Sequence, residues 1–416
     1  MQKPLKLFAA GILTAVFTLG AGSPGGTRAL PMFARKYGVS CATCHTTPPR
    51  LNEAGYRFRA AGFRMPEEIG KKPEAPFDIY DYVSARVQVR AEVSRSKAGT
   101  AATTRHQFLV QALEFYPFTG AWGKYLSTDV KLTLTPVSSP GAAIENAYVK
   151  FNAGDERRFL SARVGIFHPY DGYGAADSPA TISRPLFQTT PAQFDQPTFF
   201  KPWGFDEAGG EVGFDYRRTS LRAALLDGIV LSRNGDKLEA SARGTLPGHP
   251  AGPGHDGPDF QLLVNHVLAP EGGGVSLRYY RGNLALPTGG GGFFRNRFDR
   301  TEIYGSYPAA KRLHLFAGYE RGRDRTAAGG KFSSAGAFAE AGVPIDELTA
   351  AGVRYDWFDP ALRKAGDSLR GLTAYVNAWF YGQLRVAAEY QHMDTRRAPA
   401  PAQADNVLQV RFIYIK

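Results

Sequence analysis

From Val83 to Ser94 the chain alternates without a break. Val83, Ala85, Val87, Val89, Ala91 and Val93 fall on one side, and Ser84, Arg86, Gln88, Arg90, Glu92 and Ser94 on the other. Period two dictates an extended strand with one apolar and one polar face. A dozen such residues exceed the roughly 5–6 usual in a soluble strand and suit the roughly 9–11 tilted residues that cross a bilayer. The pattern recurs: Leu126, Thr128, Val130, Leu132 and Leu134 alternate with Ser127, Asp129, Lys131, Thr133 and Thr135, and 143–151, 159–167 and 374–380 repeat it less cleanly.

Connection lengths test this independently. Strands are expected near 79–94, 105–116, 124–135, 143–152, 158–168, 207–217, 219–230, 258–268, 273–282, 298–306, 311–320, 331–341, 347–358, 368–380, 383–393 and 405–415. The odd-numbered connections, such as 95–104, 169–206, 231–257 and 394–404, are mostly long and rich in Gly, Pro, Asp and Arg. The even-numbered ones, such as 153–157 and Gly382, are mostly short. An outer-membrane barrel shows this parity, with long loops outside and short turns in the periplasm; a soluble sandwich or propeller does not. About sixteen antiparallel strands, an even number, place both termini in the periplasm. The last strand closes on Phe412-Ile413-Tyr414-Ile415-Lys416, its aromatics set back from the terminal position many bacterial barrels give them.

The N-terminus is addressed for export. Met1-Gln2-Lys3-Pro4-Leu5-Lys6 is basic, and an apolar run from Leu7 to about Ala21 breaks into Gly20, Gly22, Pro24, Gly25 and Gly26. A run this short does not span a bilayer comfortably and reads as a secretory signal, cleaved after Thr27-Arg28-Ala29 so that the mature chain starts at Leu30. No later apolar stretch suits a membrane helix. The formal charge of +12 and pI of about 9.6 could suit nucleic acid; in an exported barrel they serve lipopolysaccharide, acidic partners or the lumen.

Only two cysteines exist, in Cys41-Ala42-Thr43-Cys44-His45. Two thiols three residues apart can add to the two vinyl groups of a porphyrin, and the adjacent His then serves as proximal iron ligand. A thioredoxin-like pair needs a βαβ unit that is not visible. A zinc site needs further close ligands. A disulfide across so short a loop is strained and leaves His45 unexplained. One covalent haem c is therefore expected on Cys41, Cys44 and His45. The sixth position is open: Met65 follows a helix expected from Pro49 to about Arg64, and a thioether there would raise the redox potential, but Met65 also reads as a gap-filling apolar residue. Met32, His168 or an open or water-bound iron are the alternatives. The expected organisation is a signal at 1–29, an α-helical monohaem segment at 30–76 and a barrel at 77–416. The haem segment is too small to build a sufficient core, so it should borrow walls by lodging in the barrel.

The run Phe33-Ala34-Arg35-Lys36-Tyr37-Gly38-Val39-Ser40 before the haem motif, with Pro48-Pro49-Arg50-Leu51-Asn52-Glu53-Ala54-Gly55-Tyr56-Arg57-Phe58 and Gly62-Phe63 after it, resembles the fused monohaem cytochrome–porins of the bacterial outer membrane. Glu145–Phe151 and Arg163–Tyr170 look like phrases common in sixteen-stranded porins. Members known from iron-oxidising bacteria take electrons from extracellular Fe(II). The resemblance implies electron transfer across the outer membrane, between an extracellular donor or acceptor and a periplasmic c-type cytochrome, with Fe(II) oxidase-type activity. It does not assign Pro48-Pro49 or Met65.

Two other readings stand beside it. One is an anion-preferring porin whose haem segment only plugs or anchors, with Arg86, Arg90, Lys131, Lys150 and Arg163 facing the lumen and Glu92, Asp129, Glu145 and Glu302 diluting the signal. The other is a peroxidase-like enzyme, for which no distal His and Arg pair is recognisable in the sequence. The loop from Pro169 to Glu207, with Phe187, Phe194, Phe199, Phe200, Trp203 and Phe205, could be a lumen plug or an ordinary constriction loop. His249 and His255 read as solvated loop residues, and His106, His266, His314 and His392 as strand residues at the lumen or interface.

Overall fold

The computed structural model describes residues 32–71, 78–135, 141–169, 180–189, 191–193, 197–199, 207–228, 230–231, 237–238, 258–287, 293–310, 312–326, 328–364, 366–380, 383–397 and 400–416. The expected signal at 1–29, His249, His255, Phe194, Phe200, Trp203 and Phe205 lie outside them.

Sixteen long strands close into one antiparallel barrel. In chain order they are β1 (Ser84–Ala98), β2 (Ala101–Tyr116), β3 (Leu126–Thr135), β4 (Gly141–Gly154), β5 (Arg158–Phe167), β6 (Glu207–Tyr216), β7 (Thr219–Leu226) and β8 (Asp259–Ala269). The second half comprises β9 (Gly273–Pro287), β10 (Phe293–Ala310), β11 (Leu313–Arg325), β12 (Lys331–Pro344), β13 (Thr349–Asp359), β14 (Asp367–Phe380), β15 (Leu384–Arg397) and β16 (Ala400–Ile415). Each strand pairs with its sequence neighbour, and β16 returns to β1. A three-residue strand, Gly120–Trp122, interrupts the β2–β3 turn and pairs with β3.

The burial pattern is inverted relative to a soluble protein. Apolar side chains point outward and stay exposed, among them Val164 at 66% and Val212 at 62%. Arg278, Arg300 and Arg354 are fully buried inside. An exposed apolar band this continuous is tolerated where lipid covers it. The five basic residues expected in the lumen do face it, and acids answer several of them: Arg163 Nη2 lies 2.8 Å from Glu211, Arg86 pairs with Glu114, and Lys131 with Glu145.

The structure corrects three expectations. Connections 95–104 and 394–404 are tight hairpins, because β1 runs to Ala98 and β2 restarts at Ala101, while β15 runs to Arg397 and β16 restarts at Ala400. Residues 101–106 are exposed along both faces, and a strand wet on both sides loses the alternation that announces it. Residues 79–81 form a 3-10 turn before β1, not its first residues. The helix expected from Pro49 is shorter: α1 (Met32–Tyr37) precedes the Cys41–His45 motif and α2 (Glu53–Ala60) follows it, while Arg50–Leu51 is spent pairing with His45–Thr47. No described helix is long and apolar enough to cross a membrane.

A charge on the lipid face should be costly in proportion to depth. Val164→Arg, at mid-strand, should destabilise the refolded barrel by about 2–4 kcal/mol. Thr104→Arg, on the same outward face near the β1–β2 hairpin tip, should cost about 0–1 kcal/mol. Denaturant titration in lipid vesicles measures both.

Candidate functional site

The N-terminal segment is lodged in the short-turn mouth of the barrel. Its backbone and side chains are stitched to turn after turn. Thr46 Oγ1 donates to Glu271 O (2.6 Å), Glu53 N to Pro270 O (3.1 Å), Arg64 Nη2 to Gly123 O (3.1 Å) and Arg57 to Glu156 O. One strand contributes two side chains from within: Asn377 Nδ2 (2.8 Å) and Trp379 Nε1 (3.3 Å) on β14 both donate to Pro48 O. Close approach sets the glycines here. A Cβ on Gly272 would lie 2.4 Å from Thr46 Oγ1, and one on Gly62 2.2 Å from Ser127 Oγ.

Arg50 is the deepest anchor. It pairs with Glu340 of β12, and its guanidinium lies 3.6 Å over the Phe316 ring. Tyr375 Oη donates to Glu340 Oε1 at 2.6 Å. Glu340 is 8% exposed, so this is a buried ion pair with its remaining acceptor sites partly satisfied. Removing one partner of such a pair strands the other charge, at about 3–5 kcal/mol.

Within the segment, Asn52 ties the Cys41–Cys44 loop to α2. Its Oδ1 accepts from Gly55 N (3.0 Å) as a helix N-cap, while Nδ2 donates to Ala42 O (3.2 Å) and Thr43 O (3.1 Å). Its own N–H donates to Cys44 O (3.0 Å). One side chain thus organises the 3-10 turn Cys41–Thr43 and starts the helix. A Cβ on Gly55 would sit 2.2 Å from Cys44 O, so α2 packs against the Cys41–Cys44 loop at a distance only glycine allows. Phe33 stacks on Phe63 at 4.9 Å and meets Phe58 edge-on at 5.0 Å.

Cys41, Cys44, His45 and Met65 all line one cavity of about 380 Å³ between this segment and the barrel. That lies in the range of roughly 300–1,000 Å³ typical of cofactor pockets. Phe33, Phe58 and Phe63 form one side, and Tyr304, Phe316 and Phe338 of the barrel form another. Pro185 and Gln188 close it from above. They belong to an inward strap, 180–188, whose course the lumen dictates. Ile182 N (2.7 Å) and Ser183 N (3.1 Å) donate to Glu389, and Arg354 donates to Thr181 Oγ1 (2.8 Å), Ser183 O (3.0 Å) and Arg184 O (3.1 Å). Phe187 is fully buried against Phe338. Residues 180–188 of the Pro169–Glu207 loop therefore fold into the lumen.

These residues fit a c-type haem. Burial pushes both thiols up, which keeps them protonated. Burial pushes the His45 imidazole down, against the opposing pull of the Pro49 and Arg50 carbonyls, which keeps it neutral and able to offer a lone pair. His45 Nδ1 is buried with no hydrogen-bond partner. The walls are largely aromatic, with Phe33, Phe58, Phe63, Tyr304, Phe316 and Phe338 facing the cavity. Ala42 and Thr43, between the cysteines, are exposed. Of the alternative ligands, Met32 is buried in α1 and His168 follows β5 at the long-loop end; neither lines the cavity. Sequence reasoning missed Arg50, Asn52, Glu340 and His314 as site residues. His314 lines the cavity beside Arg50, and its one signal was an inward position just past a short turn.

Asn52→Ala should cost about 1 kcal/mol as a lost N-cap and more through the two freed carbonyls. The expected result is a lower melting temperature of the plug in differential scanning calorimetry, with the barrel transition unchanged.

No family model matches the chain, and no curated protein matches it in sequence. Among solved structures it is similar in fold to the anion-selective porin of Comamonas acidovorans, at TM-score 0.54 and 10% identity over 80% of this chain and 99% of that one. The outer membrane channel DcaP of Acinetobacter baumannii aligns at TM-score 0.51 and 12% identity over 84% and 100%. OmpT of Vibrio cholerae aligns at TM-score 0.51 and 12% identity over 80% and 97%. The fold is that of an outer-membrane porin.

Proposed function

We propose that this chain carries electrons across the bacterial outer membrane through a single haem c held by Cys41, Cys44 and His45. The observation that carries the reading is the convergence of these three residues on one cavity, walled by plug and barrel and roofed by the strap. Bound there, the haem supplies reversible one-electron chemistry. The chain's own residues do the rest. Cys41 and Cys44 tether, His45 orients and ligates, and the phenylalanines exclude water. The strap and the Arg50–Glu340 anchor hold the cavity shut on the lumen side.

The short-turn end carries both chain ends of the barrel, since Lys416 O accepts from Ser84 Oγ at 2.7 Å. We place it in the periplasm, where short turns of such barrels lie. The exposed Ala42–Thr43 stretch is then the face presented to a periplasmic c-type cytochrome. The long-loop end faces the extracellular donor, with Fe(II) the candidate the sequence resemblance supplies. The competing reading is an anion-preferring porin with an inert plug. The strap and plug, both inside one lumen, and the carboxylates answering Arg86, Lys131 and Arg163 argue against free anion flux.

Protein exported in a host with cytochrome c maturation should retain porphyrin absorbance after full denaturation, and Cys41→Ala/Cys44→Ala protein should not. Wild-type protein in liposomes should show little swelling in small sugars or salts. Haem-free wild-type protein with an open pore would contradict the proposal.

A further inference from the structure

Resting on that haem-binding reading, we infer that the sixth iron ligand is His314 of the barrel wall rather than Met65 of the plug. On β11, Leu315 points outward and is 43% exposed, so its neighbours His314 and Phe316 point into the lumen, and both line the cavity that holds His45. The residues opposite His314 in register are Pro308 on β10 and Gly342 on β12. Neither has a side chain able to bond an imidazole. Among the described residues neither ring nitrogen of His314 has a hydrogen-bond partner. Two other strand histidines do: His266 Nδ1 meets Thr219 Oγ1 at 3.0 Å, and His392 Nδ1 meets Asn406 Oδ1 at 3.0 Å. A half-buried imidazole left unbonded in an aromatic cavity has a strong acceptor to spare.

The hairpin that carries His45 also lies over this patch. Arg50, paired with Thr47 in that hairpin, stacks on Phe316 two residues along from His314, and its Nη1 lies 2.9 Å from where a Cβ on Gly342 would sit. Met65 belongs to a self-contained loop of the plug. Its N–H donates to Glu68 Oε2 (3.0 Å), which is held in turn by Tyr37 Oη (2.9 Å). Ligation from the wall would make the haem a cross-link between plug and barrel, fixing a segment too small to be stable alone.

The test is spectroscopic and uses full-length ferric holoprotein. Bis-imidazole ligation predicts a low-spin spectrum without the near-infrared sulfur-to-iron charge-transfer band, and Met65→Leu should leave spectrum and midpoint potential unchanged. His314→Ala should turn high-spin, with low spin restored by added imidazole. His314→Met should gain the sulfur-to-iron band and a higher potential, a positive signature that survives if His314→Ala loads poorly; heat-modifiable migration of the barrel confirms folding of each variant. A sulfur-to-iron band in the wild type that Met65→Leu abolishes would overturn the inference while leaving the haem reading intact. So would a high-spin wild type indifferent to His314→Ala. Absence of covalent haem from the wild type would overturn both.

Discussion

β16 closes on β1 through reciprocal backbone bonds, Ala85 N to Lys416 O and Lys416 N to Ala85 O, each 2.9 Å. In hydrocarbon no water can satisfy an open strand edge, so only closure makes a spanning sheet possible. Closure with an even number of strands brings the end of the chain back to its beginning. It thereby delivers the N-terminal segment to the mouth ringed by the short turns. The inverted burial follows from the same constraint, because one face of every strand meets lipid and the other must be filled from within.

What fills it is unusual in having two sources. The plug enters from the short-turn end, and the strap descends from the β5–β6 connection. Neither has much core of its own. The plug borrows Tyr304, Phe316 and Phe338 from the barrel, and the strap borrows Glu389 and Arg354. The cavity between them exists because each stops short of the other. Arg50 illustrates the energetic logic: a buried cation is tolerated since Glu340, Tyr375 and the Phe316 face meet it together. A buried pair of this kind adds little net stability over an apolar packing, yet it penalises every misplaced docking.

Much of this was legible in the chain. Alternation and loop parity placed all sixteen strands, since period two survives wherever one face is lipid and the other lumen. They failed at the tips of β1, β2, β15 and β16, where both faces are wet. The spacing of Cys41, Cys44 and His45 is the basis of the proposed haem c, and all three line one cavity. The anchoring of the site was not legible. Arg50 and Glu340 are 290 residues apart in sequence, and nothing local in either says that they meet. His314 looked like any inward strand residue because its meaning comes from what Pro308 and Gly342 lack. Asn52 could have been read as an N-cap, but its grip on the Ala42 and Thr43 carbonyls depends on the fold of the Cys41–Cys44 loop.

The central claim is vectorial. Holoprotein would be inserted into sealed liposomes with an oxidised soluble cytochrome c trapped inside, Fe(II) added outside, and both haem absorbances followed, with Cys41→Ala/Cys44→Ala protein as control. The account predicts reduction of the trapped cytochrome only with holoprotein, and no leak of small solutes. A trapped cytochrome that stays oxidised while solutes pass freely would contradict it and favour a porin with an inert plug.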